Sequence, residues 1–245
     1  MNRIEKTFAA GKQSGKGVYV AYLTMGAPTP EKSIEAVEEV IKEGAGIIEL
    51  GVPFSDPVAD GEVIRRAANL ALANNVTLAD VLGYVKILRA RHSETPFVLF
   101  SYYNPIYQYG LKKFAKDAAA AGIDAVLVVD LPLEERGELL EALRPEGLTM
   151  VPLVTPTTGP ERVKASAEGL EDSFMYAVTV NGVTGQRKQL PPELSQRLVE
   201  IKKLVKMPVV AGFGIGSPEE GRMIAEHCDG FVIGSALVRR FVFGK

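Results

Sequence analysis

Tryptophan is absent from the 245 residues, cysteine occurs once, as Cys228, and histidine twice, as His92 and His227. A Cys/His zinc cluster or a disulfide framework needs several such residues, so both are excluded by count, and no metal site is expected. Charge of one sign is lacking too: 28 lysines and arginines face 30 acids, a formal charge of −2. That balance leaves no basic field to attract nucleic acid or an anionic membrane. No run approaches the roughly 18 apolar residues of a membrane span. Asp130 interrupts the best one, between Ile123 and Leu133. The start, MNRIEKTFAAGKQ, carries Arg3, Glu5 and Lys6 where a secretory leader would be apolar, and reads as a short amphipathic helix. A lone cysteine fits a reducing setting, so a cytoplasmic location is expected. Chemistry is left to carboxylates, hydroxyls and backbone.

What is present is a repeated unit, within a chain that is 47% apolar. An Ala/Glu/Lys-rich helical stretch closes near Gly or Pro, and a short β-branched run follows. Eight such runs occur: GVYVAYL, GIIEL, FVLFS, AVLVVD, TMVPLV, FMYAVTV, PVVAGF and GFVIG. Helices are predicted near residues 31–43, 62–91, 110–121, 134–144, 160–168, 192–205, 218–227 and 235–243. Eight alternations with short connections imply a parallel sheet that closes as a (β/α)8 TIM barrel, one domain over residues 1–245 with a short N-terminal helix. A doubly wound open sheet is the competing arrangement. It is disfavoured because TMGAPTP, not a G-x-G-x-x-G turn, follows the first run.

In a barrel, chemistry sits at the C-terminal ends of the strands and in the loops beyond them. His92, His227 and Cys228 all fall at the opposite end. No lysine ends a strand, which removes a Schiff-base aldolase, and imidazole ligands for a metal-dependent one are missing there. Any carbon–carbon cleavage must use a substrate that stabilises its own carbanion. In GIIEL, alternation puts Ile48 and Leu50 on one face and Glu49 on the other, so Glu49 points into the mouth if the first pair meets the helices. Burial there would raise its pKa and suit it to proton transfer; the alternative is a buried structural ion pair. The loop at residues 51–61 adds Asp56 and Asp60. Singly, Asp56 also reads as a turn residue before Pro57, and Asp60 as the N-cap of the next helix. Gly-rich segments at residues 182–185, 212–217 and 234–236 follow the last three strands. Backbone N–H groups in such loops, with a helix N-terminus, suit a phosphate without any Arg or Lys.

The string ELGVPFSDPVADG at residues 49–61 resembles the signature of the tryptophan synthase alpha subunit family. SYYNPIY from Ser101, VVDLP from Val128, NGVTG from Asn181, AGFGI from Ala211 and IGSALV from Ile233 are similar to further motifs of that family, in the same order. The resemblance implies a lyase that cleaves indole-3-glycerol phosphate to indole and glyceraldehyde 3-phosphate in tryptophan biosynthesis. By resemblance Glu49 moves protons, Asp60 holds the indole N–H, and Tyr176 projects toward the reacting side chain. Tyr22, Phe100, Leu127 and Val154 would wall the indole pocket. Gly185, Phe213, Gly214, Gly234 and Ser235 would hold the phosphate, and Thr184 would close onto Asp60. The resemblance further implies no cofactor in this chain, and a beta subunit that carries pyridoxal phosphate (PLP), contacted through Pro53, Asp56, Asn104 and Pro132 in an α2β2 tetramer. Two features depart from the pattern: Thr179 and Val180 stand where a Ser-Arg pair is common, and the last helix is expected to be short. Competing readings are another phosphate-binding barrel enzyme of aromatic amino-acid synthesis, and a chiefly allosteric subunit that activates a beta partner.

Overall fold

The computed structural model describes residues 1–178, 192–212 and 214–245. In chain order its elements are α1 (Arg3–Ser14), β1 (Val18–Thr24), α2 (Pro30–Lys42), β2 (Ile47–Gly51), α3 (Glu62–Ala73), α4 (Leu78–Arg91), β3 (Phe97–Ser101), α5 (Tyr103–Tyr109) and α6 (Leu111–Ala121). There follow β4 (Ala125–Val128), α7 (Gly137–Leu143), β5 (Thr149–Met150), β6 (Leu153–Val154), α8 (Pro160–Ala167), β7 (Met175–Val178), α9 (Pro192–Leu204), β8 (Val209–Gly212), α10 (Pro218–Ala225), β9 (Gly230–Ile233) and α11 (Ser235–Phe243).

All pairings are parallel, in the order β5-β4-β3-β2-β1-β9-β8-β7-β6. The two strands at the ends of that order are halves of one run, TMVPLV. Pro152 has no N–H to donate, so the ladder breaks beside it. Val151 donates to the Val126 carbonyl at 2.9 Å, on the β4 side, and the Pro152 carbonyl accepts from Tyr176 at 2.8 Å, on the β7 side. One six-residue run thus joins both edges, and the sheet closes as a TIM barrel. Every residue of β1, β2, β4, β8 and β9 is buried, as a parallel sheet covered by helices on one side and filled by its own side chains on the other requires.

The stretch at residues 62–91 is two helices, not one. After α3 the chain turns through Asn74 and Asn75, the latter at φ +57°. The Asn74 side chain donates to the carbonyls of Gly26 (3.1 Å) and Pro28 (2.8 Å), tying the break to the loop after β1. Thr77 and Asp80 then form a reciprocal capping box that starts α4. Asp60 is not the cap of α3: Gly61 holds that position, without a side-chain hydrogen bond. The short α5, between β3 and α6, was not expected from the pattern.

At the N-terminal ends of the strands, acids clamp the backbone. Asp124, just before β4, accepts from the Phe97 amide at the start of β3 (2.8 Å), from Arg89 (2.7 Å) and from Arg3 (2.9 Å). Asp229, just before β9, accepts from the Val209 amide at the start of β8 and from Lys202, each at 2.9 Å.

Candidate active site

At the other end of the barrel a cavity of about 420 Å³ opens among the strand ends and the loops beyond them. Glu49, Tyr22, Phe100 and Tyr176 project into it from β2, β1, β3 and β7, and Asp60 borders it from the loop after β2. Register explains the grouping, because Tyr22 lies directly beside Glu49 in the ladder. Two glycines make room for the phenols. A Cβ at Gly51 would lie 2.3 Å from the Tyr22 hydroxyl, and one at Gly212 would lie 2.1 Å from that of Tyr176. Each tyrosine therefore leans over the end of a neighbouring strand, a position only glycine leaves open. The Tyr22 and Phe100 rings meet edge to face, with centroids 5.0 Å apart.

Glu49 is fully buried, and neither of its carboxyl oxygens has a hydrogen-bond partner among the described residues. Desolvation pushes its pKa up from 4.5 to about 8. Asp60 is only partly buried and is treated differently. Its Oδ2 accepts from the Tyr102 hydroxyl at 3.1 Å, and the same hydroxyl accepts from the Ala59 amide at 2.9 Å. Burial raises Asp60 to about 6, while the Tyr102 bond and the charge of Arg65 oppose the rise. At pH 7 the first carboxyl is mostly an acid and the second mostly an anion. Burial, reinforced by nearby carboxylate charge, holds the phenols of Tyr22 and Tyr176 well above their ordinary range, so both remain donors.

The remaining sequence candidates divide. Gly214, Gly234 and Ser235 border the cavity, the last at the start of α11. Leu127 and Val154 are buried but do not border it: Leu127, in register with the inward Phe100, lies in the barrel core, whereas Val154 is in register with Ala177 and not with Tyr176, and so faces the helices. Thr184, Gly185 and Phe213 lie outside the described residues. Pro53 is buried, whereas Asp56, Asn104 and Pro132 are exposed. Sequence reasoning missed Tyr102, Val232, Ile64, Glu220 and Arg239. Tyr102 stood within a motif already noted, but its bond to Asp60 spans 42 positions, and no local pattern reports that.

A family model described as tryptophan synthase alpha chain matches residues 8–242. The tryptophan synthase alpha chain of Geotalea daltonii is 44% identical over 241 residues, covering 98% of this chain and 90% of that relative. The chain belongs to the tryptophan synthase alpha chain family. Among solved structures, subunit alpha from Legionella pneumophila superposes with a TM-score of 0.90 at 38% identity, over 98% of this chain and 88% of that one. A chain of tryptophan synthase from M. tuberculosis, in an aminoacrylate-bound form, gives 0.87 at 31% identity, over 97% and 91%. As a tryptophan synthase alpha chain, this protein is a lyase that cleaves indole-3-glycerol phosphate to indole and glyceraldehyde 3-phosphate. None of its described helices is long and apolar enough to cross a membrane.

Proposed function

We propose that Glu49 carries the protons of this cleavage, and that Asp60 stabilises the charge it creates. The observation that carries the reading is the buried Glu49 carboxyl, at the cavity wall with no partner for either oxygen among the described residues. With its pKa near 8, Glu49 holds a proton at neutral pH and can give it to the ring carbon that bears the glycerol chain. The ring then becomes iminium-like, and anionic Asp60, accepting from the indole N–H, offsets the positive charge. The Glu49 carboxylate left behind takes the proton from the hydroxyl on the adjacent glycerol carbon. The carbon–carbon bond breaks, its electron pair returns to the ring, and the hydroxyl carbon becomes the aldehyde. Indole leaves with the proton donated first, and Glu49 is protonated again. Two carboxyls with separated pKa values are what this division of labour needs. Neither a Schiff base nor a metal ion is required, because the protonated indole is the electron sink.

Tyr22 and Phe100 are assigned to the indole, and Tyr176 to the glycerol chain as a hydrogen-bond donor. Gly214, Gly234 and Ser235 are assigned to the phosphate, as Gly185 and Phe213 are by the family resemblance, which assigns Thr184 to Asp60. Leu127 backs this wall from the core, beside Phe100. The partner implied by the family is a beta subunit, and an α2β2 assembly with PLP confined to the partner is the form we assign. Asp56, Asn104 and Pro132 are its contacts, with buried Pro53 shaping the loop. Two apolar groups on the same face support a covering partner: Val58 is 87% exposed beside Asp56, and Tyr107 on α5 is 57% exposed. The test is indole release from indole-3-glycerol phosphate by the full chain and by Glu49→Gln. Release by the parent and its near-complete loss in the variant are expected; equal turnover would overturn the assignment.

A further inference from the structure

The cavity wall is acidic for a site that receives a phosphate monoester. Asp60 and Glu220 border it beside the protonated Glu49, and the substrate's phosphate brings close to two negative charges at pH 7. Part of the backbone grip is already taken. The Gly216 amide, in the loop after β8, donates to Glu220 Oε2 at 2.8 Å, so a carboxylate occupies the anion position of that N–H. An incoming phosphate would find this N–H used and a like charge beside it.

One basic side chain borders the cavity among the described residues, Arg239 on α11. It lies four residues after Ser235, on the same face of the helix whose N-terminus carries Gly234 and Ser235. Its neighbour Arg240 points elsewhere and is consumed by Glu39 and Glu43 on the outer surface. The guanidinium of Arg239 has no hydrogen bond or ion pair among the described residues. A fork of N–H donors with no partner among the described residues thus stands one helical turn from Gly234 and Ser235, bordering the same cavity as Glu220.

We propose that Arg239 is a specificity-determining residue, whose guanidinium is the counter-charge for the substrate's phosphate. The proposal rests on reading this cavity as the indole-3-glycerol phosphate site, and it amends the expectation that backbone alone suffices for the anion. A planar guanidinium matches two phosphate oxygens at once, which backbone N–H groups and one hydroxyl do not replace. It would also raise the preference for phosphorylated over unphosphorylated ligands, since nothing else on the described wall offsets the Asp60 and Glu220 carboxyls.

The test compares the full chain with Arg239→Gln and Arg239→Lys in steady-state indole release, with inorganic phosphate as the competing probe. Arg239→Gln is expected to raise the KM for indole-3-glycerol phosphate and the inhibition constant of inorganic phosphate about five- to tenfold, with kcat within about twofold. Arg239→Lys should recover part of both losses, because it keeps the charge but not the paired donors. The KM for indole in the synthesis direction, which senses the other end of the cavity, should not move. KM and inhibition constant both within twofold of the parent in Arg239→Gln would overturn the proposal. So would an Arg239→Lys variant as weak as Arg239→Gln, or an equal rise in the KM for indole. Failure of the cleavage reading itself would show differently, as no indole released by the parent chain.

Discussion

Asp124 and Glu49 are both carboxylates nearly sealed from solvent, and they stand at opposite ends of one barrel. Asp124, at the N-terminal end, is bound by two arginines and a strand amide. Glu49, at the C-terminal end, has no hydrogen-bond partner among the described residues. A paired acid near the surface fixes strands β3 and β4 to α1 and α4, but its protons are not available for work. An unpaired acid costs stability when it ionises, and for that reason keeps its proton to an unusually high pH. The barrel separates these demands in space: what is satisfied at the bottom is left unsatisfied at the top.

The largest effect expected from breaking the contrast is on rate. Glu49→Gln should lower kcat for indole release by at least about a thousandfold, since it removes the group that both gives and takes the proton. The same variant should be more stable than the parent at alkaline pH. Because the folded pKa is raised, Glu49 imposes no penalty below its ordinary 4.5. As pH rises through that value the unfolded chain ionises while the folded one does not, so stability falls across pH 4.5 to about 8 and stays reduced above it. Chemical denaturation at pH 9 should show Glu49→Gln ahead by on the order of 5 kcal/mol, and little difference at pH 4. At the other end the signs reverse. Asp124→Asn should cost about 3 kcal/mol of stability by leaving Arg89, whose side chain is 14% exposed, without its anion, while kcat of the folded protein stays within about twofold. Denaturant midpoints and indole assays on one preparation check both halves.

Much of this contrast was legible in the sequence, and the reasons differ by element. Period-two alternation in GIIEL places Glu49 opposite Ile48 and Leu50, and it aims Glu49 into the mouth once that pair is taken to meet the helices. The break at Asn74 and Asn75 was written in the letters as well, in two adjacent residues tolerant of left-handed backbone followed by the Thr77–Asp80 box. The apolar continuity of residues 62–91 hid it. The division of TMVPLV into β5 and β6 follows from Pro152, but which edge each half joins depends on barrel closure. Least legible were contacts between distant segments: Tyr102 on Asp60, Arg239 beside the Gly-rich loops, and the retreat of Leu127 and Val154 from the cavity. Those are set by strand register and helix placement, which no window of sequence contains.

Smaller effects sharpen the comparison between the two mouth carboxyls. Tyr102→Phe should move the acid limb of the kcat/KM profile upward by several tenths of a pH unit, because the lost hydrogen bond no longer holds Asp60 down against burial. It should also cost about 1 kcal/mol through the unsatisfied Ala59 amide. In the parent, kcat/KM should be bell-shaped, falling below about 6 as Asp60 gains a proton and above about 8 as Glu49 loses one. Asp60→Asn should flatten the acid limb along with most of the activity.

The protonation state of Glu49 can be read directly. Carbon-13 NMR of the carboxyl-labelled protein, assigned by difference from Glu49→Gln, should show one glutamate that remains a carboxylic acid through pH 7 and titrates near 8. A Glu49 resonance that titrates near 4.5, with the other glutamates, would contradict the account.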